Sequence, residues 1–410
     1  MATRRGRDER GAILVQVAIA LIALMAFGSL TMDYGVLWVA RGQAQNAADA
    51  GALAGALSRA YGDPDDPGFD ARVRNVAVAA AQNNLVWGEA PDVDPAVDVT
   101  VGPCPPGAPG IADQCVRVDV YRNQERGNAL PTFFAQLVGV MEHGVRATAT
   151  AQVAAGVSSS CIRPWGIPDK WVEVLPNPQP WTLEVEFNRY SKQGNNYTLL
   201  NPGDYYVPAT AGSPGSGFSV PEDIGLRVQL KIGSPQDVSL AAGNFLPITL
   251  PGACDVGGNC YRDNIASCNG TTLKVGDVVD TEPGNMIGPT KQGVDELIEL
   301  DPSAVWMCND GSVASAGSDC AGYVSTGASP RLVPVPVFNV QQWQDDVAAG
   351  NTKGTGRYEI QITRLVGFFV ERMIGNDVVG RVTYYPSAGG ISGGEINESA
   401  NFLRKVILVR

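Results

Sequence analysis

A serine flanked by glycines and a single histidine are the residues of this chain that most resemble catalytic groups. Gly390-Ile391-Ser392-Gly393-Gly394 fits the G-x-S-x-G pattern of a nucleophilic serine, which needs a histidine to accept its proton. In an α/β-hydrolase that histidine follows the serine, whereas His143 lies far before it. The surrounding glycines indicate a loop, and His143 follows a predicted helix end. We therefore predict that the protein is not an enzyme and has no catalytic residues.

Two further patterns suggest phosphate or metal binding but lack required residues. Gly288–Gly293 resembles a phosphate loop, yet Val294 and Asp295 stand where Lys and Ser or Thr are needed, so we predict the start of a short helix ending near Leu300. Acidic side chains that offer oxygen ligands to Ca²⁺ form two clusters, Asp63, Asp65 and Asp66, and Asp92 and Asp94. Neither cluster supplies the turn glycine and closing glutamate of a calcium loop. We predict no metal and no cofactor.

The eight cysteines point to disulfide chemistry. All of them follow residue 103, and the chain contains no C-x-x-C spacing of the kind that zinc sites favour. An even number on one side of a membrane segment indicates four disulfides formed in an oxidising compartment. Cys104 and Cys115 bracket a proline-rich loop between two predicted strands, and Cys308 and Cys320 form a second local pair. The pairing of the other four stays open among Cys161, Cys254, Cys260 and Cys268.

An uncharged apolar run at residues 12–32 precedes everything that these cysteines could cross-link. A helix of this length spans about 31 Å, close to the roughly 30 Å hydrocarbon core of a bilayer. Four arginines precede the run, and Tyr34 and Trp38 follow it, which orients the N-terminus towards the cytoplasm. The alternative is a cleaved secretory signal, whose apolar region is usually only about 7–15 residues long. We predict a cytoplasmic tail at 1–10 and a retained transmembrane helix at 11–32.

The charge of the chain argues against one class of partner. Its formal net charge is −12, and no basic stripe interleaved with aromatic residues is present. An acidic surface repels the phosphate backbone of nucleic acids. We therefore expect no nucleic-acid partner, and the sequence identifies no small-molecule substrate.

The helical pattern continues without proline from Asp33 to Ala60. Arg41, Gln45 and Asp49 recur at i+4 and form a polar edge. Small residues form a second edge, the small-residue face: Ala40, Ala44, Ala47, Ala48, Gly51 and Gly55. Such a face lets another backbone approach closely. It is either a stalk packed on its own domain or a surface for assembly with other subunits.

The segment 33–157 is predicted to form a small α+β domain. After the first helix we expect a second helix over Phe69–Trp87, and a third over Pro131–Val140. The expected strands are Val97–Val101, Cys115–Tyr121 and Val145–Val153, the last of which alternates polar and apolar residues.

The segment 161–410 follows a short linker and is predicted to be mostly β. The expected strands are Thr182–Phe187, Leu226–Ile232, Leu332–Val340, Tyr358–Val370, Val378–Tyr385 and Phe402–Arg410. We expect one short helix there, over Asp295–Leu300, and an exposed loop over Gly194–Pro221. Trp165 and Trp171 beside prolines either cap a β core or line a binding groove.

The apolar run and the alanine-rich helix behind it form one recognisable pattern. Its residues are Arg10-Gly11-Ala12-Ile13, Asp33-Tyr34-Gly35, Arg41 and Gln45-Asn46-Ala47-Ala48-Asp49-Ala50-Gly51-Ala52-Leu53-Ala54-Gly55-Ala56. This pattern resembles the N-terminal segment of Tad (tight adherence) pilus-assembly proteins of the TadE/TadG type, and its later part is most similar to the TadG-like group. The resemblance implies an inner-membrane protein whose exported part helps to build or anchor Flp-type pili.

The resemblance also raises the question of prepilin processing. Type IV prepilins are cleaved after a glycine and carry glutamate at the fifth mature position, so cleavage between Gly11 and Ala12 would place Gln16 there. Gln16 lacks the negative charge that pairs with a neighbouring subunit's terminal amine. We therefore favour an unprocessed anchor over a minor pilin of the filament.

Together these features predict a membrane-anchored α+β protein. Its long N-terminal transmembrane helix carries a pilin-like small α+β domain, and a mostly-β, disulfide-bonded domain follows. The expected function is a non-enzymatic component of a Tad/Flp-type pilus assembly or secretion apparatus. It would be single-pass in a bacterial inner membrane, with most of the chain periplasmic, and its partners would be that membrane and other pilus-assembly subunits. The alternative from a different class is a membrane-anchored binding protein or enzyme with its site in 161–410.

Overall fold

One unbroken helix of 52 residues, α1 (Arg10–Tyr61), opens the fold. The computed structural model describes residues 10–62, 67–174, 181–194, 196–252, 254, 257–284, 286–326, 329–354, 356–392 and 397–409. Several residues of the patterns discussed above lie outside the described residues: Arg4, Arg5 and Arg7 of the basic segment, the acidic Asp63, Asp65 and Asp66, and Gly393 and Gly394 of the G-x-S-x-G pattern. At 1.5 Å per residue α1 is about 78 Å long, which is more than twice the thickness of a bilayer core.

Among the residues that the structure describes, four more helices and twenty strands follow α1. The helices are α2 (Phe69–Gln82), α3 (Gly258–Ala266), α4 (Ile287–Glu299) and α5 (Val340–Ala349). The strands of the first half are β1 (Val99–Gly102), β2 (Cys115–Arg122), β3 (Leu130–Pro131), β4 (Glu142–His143), β5 (Val145–Ala155), β6 (Ser158–Ser160), β7 (Trp165–Pro168), β8 (Tyr190–Gln193), β9 (Asn196–Leu199) and β10 (Arg227–Ile232). Those of the second half are β11 (Asn244–Pro247), β12 (Thr272–Lys274), β13 (Val278–Asp280), β14 (Trp306–Cys308), β15 (Gly322–Val324), β16 (Leu332–Phe338), β17 (Glu359–Ile374), β18 (Asp377–Thr383), β19 (Tyr385–Pro386) and β20 (Leu403–Val409). Short 3-10 helices cover Gln124–Arg126, Ala135–Val138 and Glu398–Ala400.

The first sheet lies against the second half of α1. Its strand order is β1-β2-β5-β20-β19, with β2 and β5 antiparallel over their whole shared length. The alternation of β5 at its start, where Val145, Ala147 and Ala149 are buried, directs small side chains towards the helix. Alanine and valine on both surfaces permit the close approach of helix and sheet.

The C-terminal strand belongs to the first sheet. We predicted Phe402–Arg410 as part of the 161–410 domain, but β20 pairs antiparallel with β5, in a register that places Val406 opposite Val153. The first sheet is therefore built from segments at both ends of the chain that follows α1. Sequence patterning identifies a strand but does not identify its partner.

A six-stranded barrel forms the second unit. Strands β16, β7, β11, β10, β18 and β17 follow one another in a ring that closes because β17 pairs with both β16 and β18. β13 adds to the first residues of β17. Trp165 is fully buried in this core, with Phe245 and Phe368 at centroid distances of 6.2 and 6.5 Å. Trp171 is also buried, so both tryptophans belong to the core and do not line an open groove.

Several local expectations differ from the structure. The helix expected at Pro131–Val140 is only the 3-10 turn Ala135–Val138, because Gly139 takes φ 90° and ends it. The second helix stops at Gln82, earlier than Trp87. No strand forms over Thr182–Phe187, where a single bridge joins Glu186 to Ala241.

In the barrel half, the prediction of one helix was wrong. Besides α4, the structure has α3 and α5; Asn339 caps α5 by accepting a hydrogen bond from the N–H of Gln342, and Gly350 ends it at φ 71°. The expectation of an exposed loop over Gly194–Pro221 was also wrong, because this segment contains β9 and buries Asp204 and Phe218. The protein is α+β overall, with a long apolar N-terminal helix, a mostly-β remainder and four disulfides.

Candidate functional site

The first half of α1 is an apolar helix that no other part of the fold covers. Every described side chain from Ile13 to Met32 is exposed, and the most apolar window of the helix has a mean hydropathy of 2.5 with none of it buried. This half is long and apolar enough to cross a membrane. Gln16, in the first turns of the helix, is exposed as well, and Gly11 and Ala12 lie in the same helical segment.

Asp33 marks the point at which the helix enters the folded part. Its side chain is buried, and its carboxylate accepts hydrogen bonds from the backbone N–H groups of Phe133, Phe134 and Ala135 at 2.8, 3.0 and 2.6 Å. These are donors at the start of the 3-10 turn, which has no partner for them within its own backbone. The hydrogen bond from Phe133 is the largest cause that lowers the pKa of Asp33 below its usual value. Burial raises this pKa, but the hydrogen bonds from Ala135 and Phe134 lower it further, so the net shift is downward.

Two aromatic side chains follow Asp33 on the surface of the helix. Tyr34 and Trp38 are exposed and stack with ring centroids 6.5 Å apart. Amphipathic aromatic rings at the end of an apolar helix are typical of a membrane–water interface.

The small-residue face lies inside the protein's own fold. Ala40, Ala44, Ala47 and Ala48 are fully buried among residues of the first sheet and α2. A Cβ added at Gly51 would lie 2.9 Å from the carbonyl oxygen of Ala77, and one added at Gly55 would lie 2.7 Å from Val116 Cγ1. Of the two alternatives open from the sequence, these six residues adopt the first, a stalk packed on its own domain. A partner would contact another face of the helix.

The polar edge ties α1 to the sheet. Gln45 donates to Asp49 at 2.8 Å and to the carbonyl oxygen of Thr148 at 3.2 Å. One turn from the end, Arg59 pairs with Asp70 at 3.1 Å and donates to the carbonyl oxygen of Asp113 at 3.0 Å. The helix is therefore attached at three levels, by Asp33, Gln45 and Arg59.

The residues that most resembled catalytic groups are far apart. His143 lies in β4, just before β5, whereas the backbone N–H of Ser392 donates to the carbonyl oxygen of Ala155 at the end of β5. Strand β5 has 11 residues and so separates the two by about 35 Å. The serine and the histidine cannot share a proton at this separation.

The remaining candidate groups have structural partners. Gly288–Gly293 lies within α4, as expected of a helix start. Asp92 pairs with Arg126 at 3.3 Å, and Asp94 accepts a hydrogen bond from the N–H of Ala96 in a turn. In the parts of the chain that the structure describes, no group of three or more His, Cys, Asp or Glu side chains is placed to hold a metal ion.

All eight cysteines are paired. The disulfides join Cys104 to Cys115, Cys161 to Cys268, Cys254 to Cys260 and Cys308 to Cys320. The first and last are the two local pairs named from the sequence, and the structure adds the two that spacing left open. Cys161–Cys268 is the long-range bond, with a sequence separation of 107.

What sequence reasoning missed at this site is the loop that Asp33 holds. The signal is present: Asp33 is the first charged residue after the apolar run, and a carboxylate there needs donors if it is to be buried. Which donors it finds, a hundred residues away, depends on the tertiary fold.

Comparison with known proteins agrees with the position of this helix. Residues 11–59 match the family model Tad, described as "Putative Flp pilus-assembly TadE/G-like", and the matched range coincides with nearly all of α1. No curated protein and no solved structure matches the chain. The resemblance to Flp pilus-assembly TadE/G-like proteins therefore holds over residues 11–59, as the family model matches this segment of the chain.

Proposed function

We propose that this protein is a non-enzymatic, membrane-anchored component of a Tad/Flp-type pilus assembly apparatus. Its N-terminus would be cytoplasmic, α1 would cross the inner membrane once through residues 11–32, and the sheet and barrel would stand in the periplasm. The disulfides suit an oxidising compartment, and the aromatic pair Tyr34 and Trp38 suits the outer interface. The proposal divides this part of the chain into one domain at 33–157 and another at 161–410, except that β20 is assigned to the first domain because it pairs with β5.

The observation that carries the proposal is the continuity of α1. The Tad match covers 11–59, and within that range one helix passes from a fully exposed apolar half to a half buried in the first sheet. An unbroken helix that is fixed at Asp33, Gln45 and Arg59 holds the exported part at a set height and rotation relative to the anchor. Such a component acts by position and contact, and it needs no chemistry of its own.

Partner contacts would use surfaces that the fold leaves open. In the exported half of α1, the exposed Leu53 and Leu57 lie on the side of the helix opposite the small-residue face, where Leu57 lines an open groove with Tyr323. In the apolar half, every described side chain from Ile13 to Met32 is exposed. Helices in a membrane associate through close packing and contacts between small residues. We therefore place partner helices against residues 13–32 and against this outer side, not against the small-residue face.

Site-specific photo-cross-linking in native membranes tests the proposal. A photoreactive amino acid is placed at Leu24, at Leu57 and, as a matched control on the same helix, at the buried Ala48, and the cross-linked products are identified by mass spectrometry. We expect other pilus-assembly subunits at Leu24 or Leu57 and only intramolecular products at Ala48. Products that contain lipid alone at both exposed positions would contradict a role in assembly.

Intact mass separates this proposal from the minor-pilin alternative. An unprocessed anchor keeps Gly11 joined to Ala12, whereas a filament subunit would begin at Ala12 with Gln16 at its fifth position. We expect the unprocessed mass in purified membranes. A mature chain that begins at Ala12 would favour the filament.

A further inference from the structure

A second apolar surface lies beside the helix, on the loop that Asp33 holds. Within the loop at 132–141, which we call the apolar loop, Phe133 and Met141 are 56% and 63% exposed, and Phe134 and Val140 are also exposed. Residues 130–141 contain no charged side chain, in a chain of which 18% is charged. Adjacent exposed apolar side chains of this size mark a contact surface.

The position of the apolar loop limits what it can contact. The three hydrogen bonds to Asp33 attach it to the residue that directly follows the apolar run. Phe134 and Val140 line one wall of an open apolar groove whose other wall is α1, from Ile22 through Met32 to Leu37. The apolar loop therefore lies beside α1 at the level where the exposed apolar run ends.

Much of the backbone of the apolar loop is already hydrogen-bonded within the protein. The N–H groups of residues 133–135 donate to Asp33, and the N–H of Thr132 donates to the carbonyl oxygen of Met141 at 3.2 Å. The Thr132 hydroxyl donates to the carbonyl oxygen of Val140 at 2.6 Å, and the N–H of Val140 donates to the carbonyl oxygen of Ala135 at 3.0 Å. Irregular backbone exposed to lipid does not occur deep in the hydrocarbon region, so these pairings suit a loop that lies at the interface, where unpaired groups can still reach water.

We propose that the apolar loop inserts into the bilayer that α1 crosses, as a second membrane contact in the outer leaflet. This inference rests on the anchor in the proposed function. The occupant is lipid because the apolar loop continues the surface of the apolar helix at the same depth. Phe133, Phe134, Val140 and Met141 face the acyl chains near the interface, and Tyr34 and Trp38 lie at the boundary with water. Two attachment points, where a single helix would give one, prevent the exported part from tilting and rotating on its anchor.

Depth-dependent quenching tests the insertion on the full-length protein. Single cysteines are introduced by Phe133→Cys, Ala20→Cys at the middle of the span and Leu300→Cys at the exposed end of α4, and each is labelled with an environment-sensitive NBD group. All eight natural cysteines are in disulfides, so the new thiol is the labelling site. Because the side chain of Phe133 is exposed, its replacement leaves the hydrogen bond from its backbone N–H intact. The protein is reconstituted into phosphatidylcholine–phosphatidylglycerol vesicles with or without lipids spin-labelled in the acyl chain.

The expected result is a blue-shifted, strongly quenched emission at positions 133 and 20, and an unquenched emission at 300. Quenching at 20 but not at 133 would overturn the insertion while leaving the anchor in place. Absence of quenching at both positions would remove the anchor itself, and with it the proposed function. A blue shift at 133 without quenching by lipid would place a protein, such as a second copy of this chain, on the apolar loop and would also overturn the proposal.

Discussion

The carboxylate of Asp33 accepts a 2.6 Å hydrogen bond from the backbone N–H of Ala135, a residue 102 positions further along the chain. Asp33 belongs to the helix and Ala135 to a 3-10 turn, so this bond joins α1 to the folded part of the chain at the level where the apolar run ends. It fixes the rotation of α1 about its axis, because only one side of the helix carries the carboxylate.

The bond at Asp33 should weaken in acid. Its folded pKa lies below the usual value of 3.8, because the three N–H groups favour the charged form. A depressed pKa means that the stabilisation is present above the usual pKa and is lost as the pH falls through the folded one. We expect amide hydrogen exchange at Phe133, Phe134 and Ala135, corrected for intrinsic rates, to accelerate as the pH falls through the folded pKa of Asp33.

Substitution of the same residue tests the bond at neutral pH. In Asp33→Ala, the three amides lose their acceptor, so their hydrogen exchange should already be accelerated at neutral pH. Asp33→Asn keeps one acceptor oxygen without the charge and should give an intermediate effect. Unchanged protection in Asp33→Ala would show that the carboxylate does not hold the turn.

Two glycines of α1 should respond in opposite ways to the same change. A Cβ at Gly42 meets nothing within 4 Å, so Gly42→Ala should stabilise the helix by up to about 1 kcal/mol. A Cβ at Gly55 would lie 2.7 Å from Val116 and 3.0 Å from the Cβ of Ala77, and overpacking of this kind costs about 1–3 kcal/mol. Thermal unfolding in detergent, followed by circular dichroism, should show a higher midpoint for the first and a lower one for the second. Equal shifts would contradict the close packing of α1 on the sheet.

The disulfides should differ in their effect on stability according to the loops that they close. Loop-closure entropy predicts a loss of about 5 kcal/mol for removal of Cys161–Cys268, with a separation of 107, and about 3 kcal/mol for Cys104–Cys115, with a separation of 11. Paired Cys→Ser variants, compared by urea unfolding under non-reducing conditions, measure both. A larger loss for the short loop would indicate that strain or packing, and not chain entropy, determines these contributions.

Arg331 should be intolerant of the conservative change to lysine. Its buried guanidinium donates to four carbonyl oxygens at 2.6–2.9 Å, those of Asp301, Ala304, Val370 and Glu371. Lysine cannot reach all four, and each unsatisfied buried acceptor costs about 1–3 kcal/mol. We expect Arg331→Lys to lower the unfolding midpoint of the barrel in urea, while Arg262→Lys, at a partly exposed ion pair, leaves it nearly unchanged. Equal midpoints for the two variants would contradict this role of the guanidinium.

Local patterns predicted the parts of the fold whose causes are local. Spacing along the chain determines three features, and the sequence therefore predicts them: the apolar run, its alanine-rich continuation and the Cys104–Cys115 loop. The closure of the barrel depends on β17 pairing with β16 and β18, and the partner of β20 lies some 250 residues earlier. Both are decided by which apolar faces fit together in space. The small-residue face shows the same limit, since its pattern predicts close packing but does not say whether the neighbour is the same chain or another.

The place of β20 has a consequence for how the protein is made. Leu403–Val409 comes later in the chain than every other described element, and it pairs along β5, in the sheet that packs on α1. The ribosome therefore releases the last strand of this sheet only after the whole barrel has been synthesised. Until then the edge of β5 that β20 covers exposes backbone N–H and C=O groups, which can pair with a strand of another chain. A copy truncated during synthesis keeps α1 but lacks β20, so that edge of β5 stays uncovered and the first sheet is complete only in full-length chains.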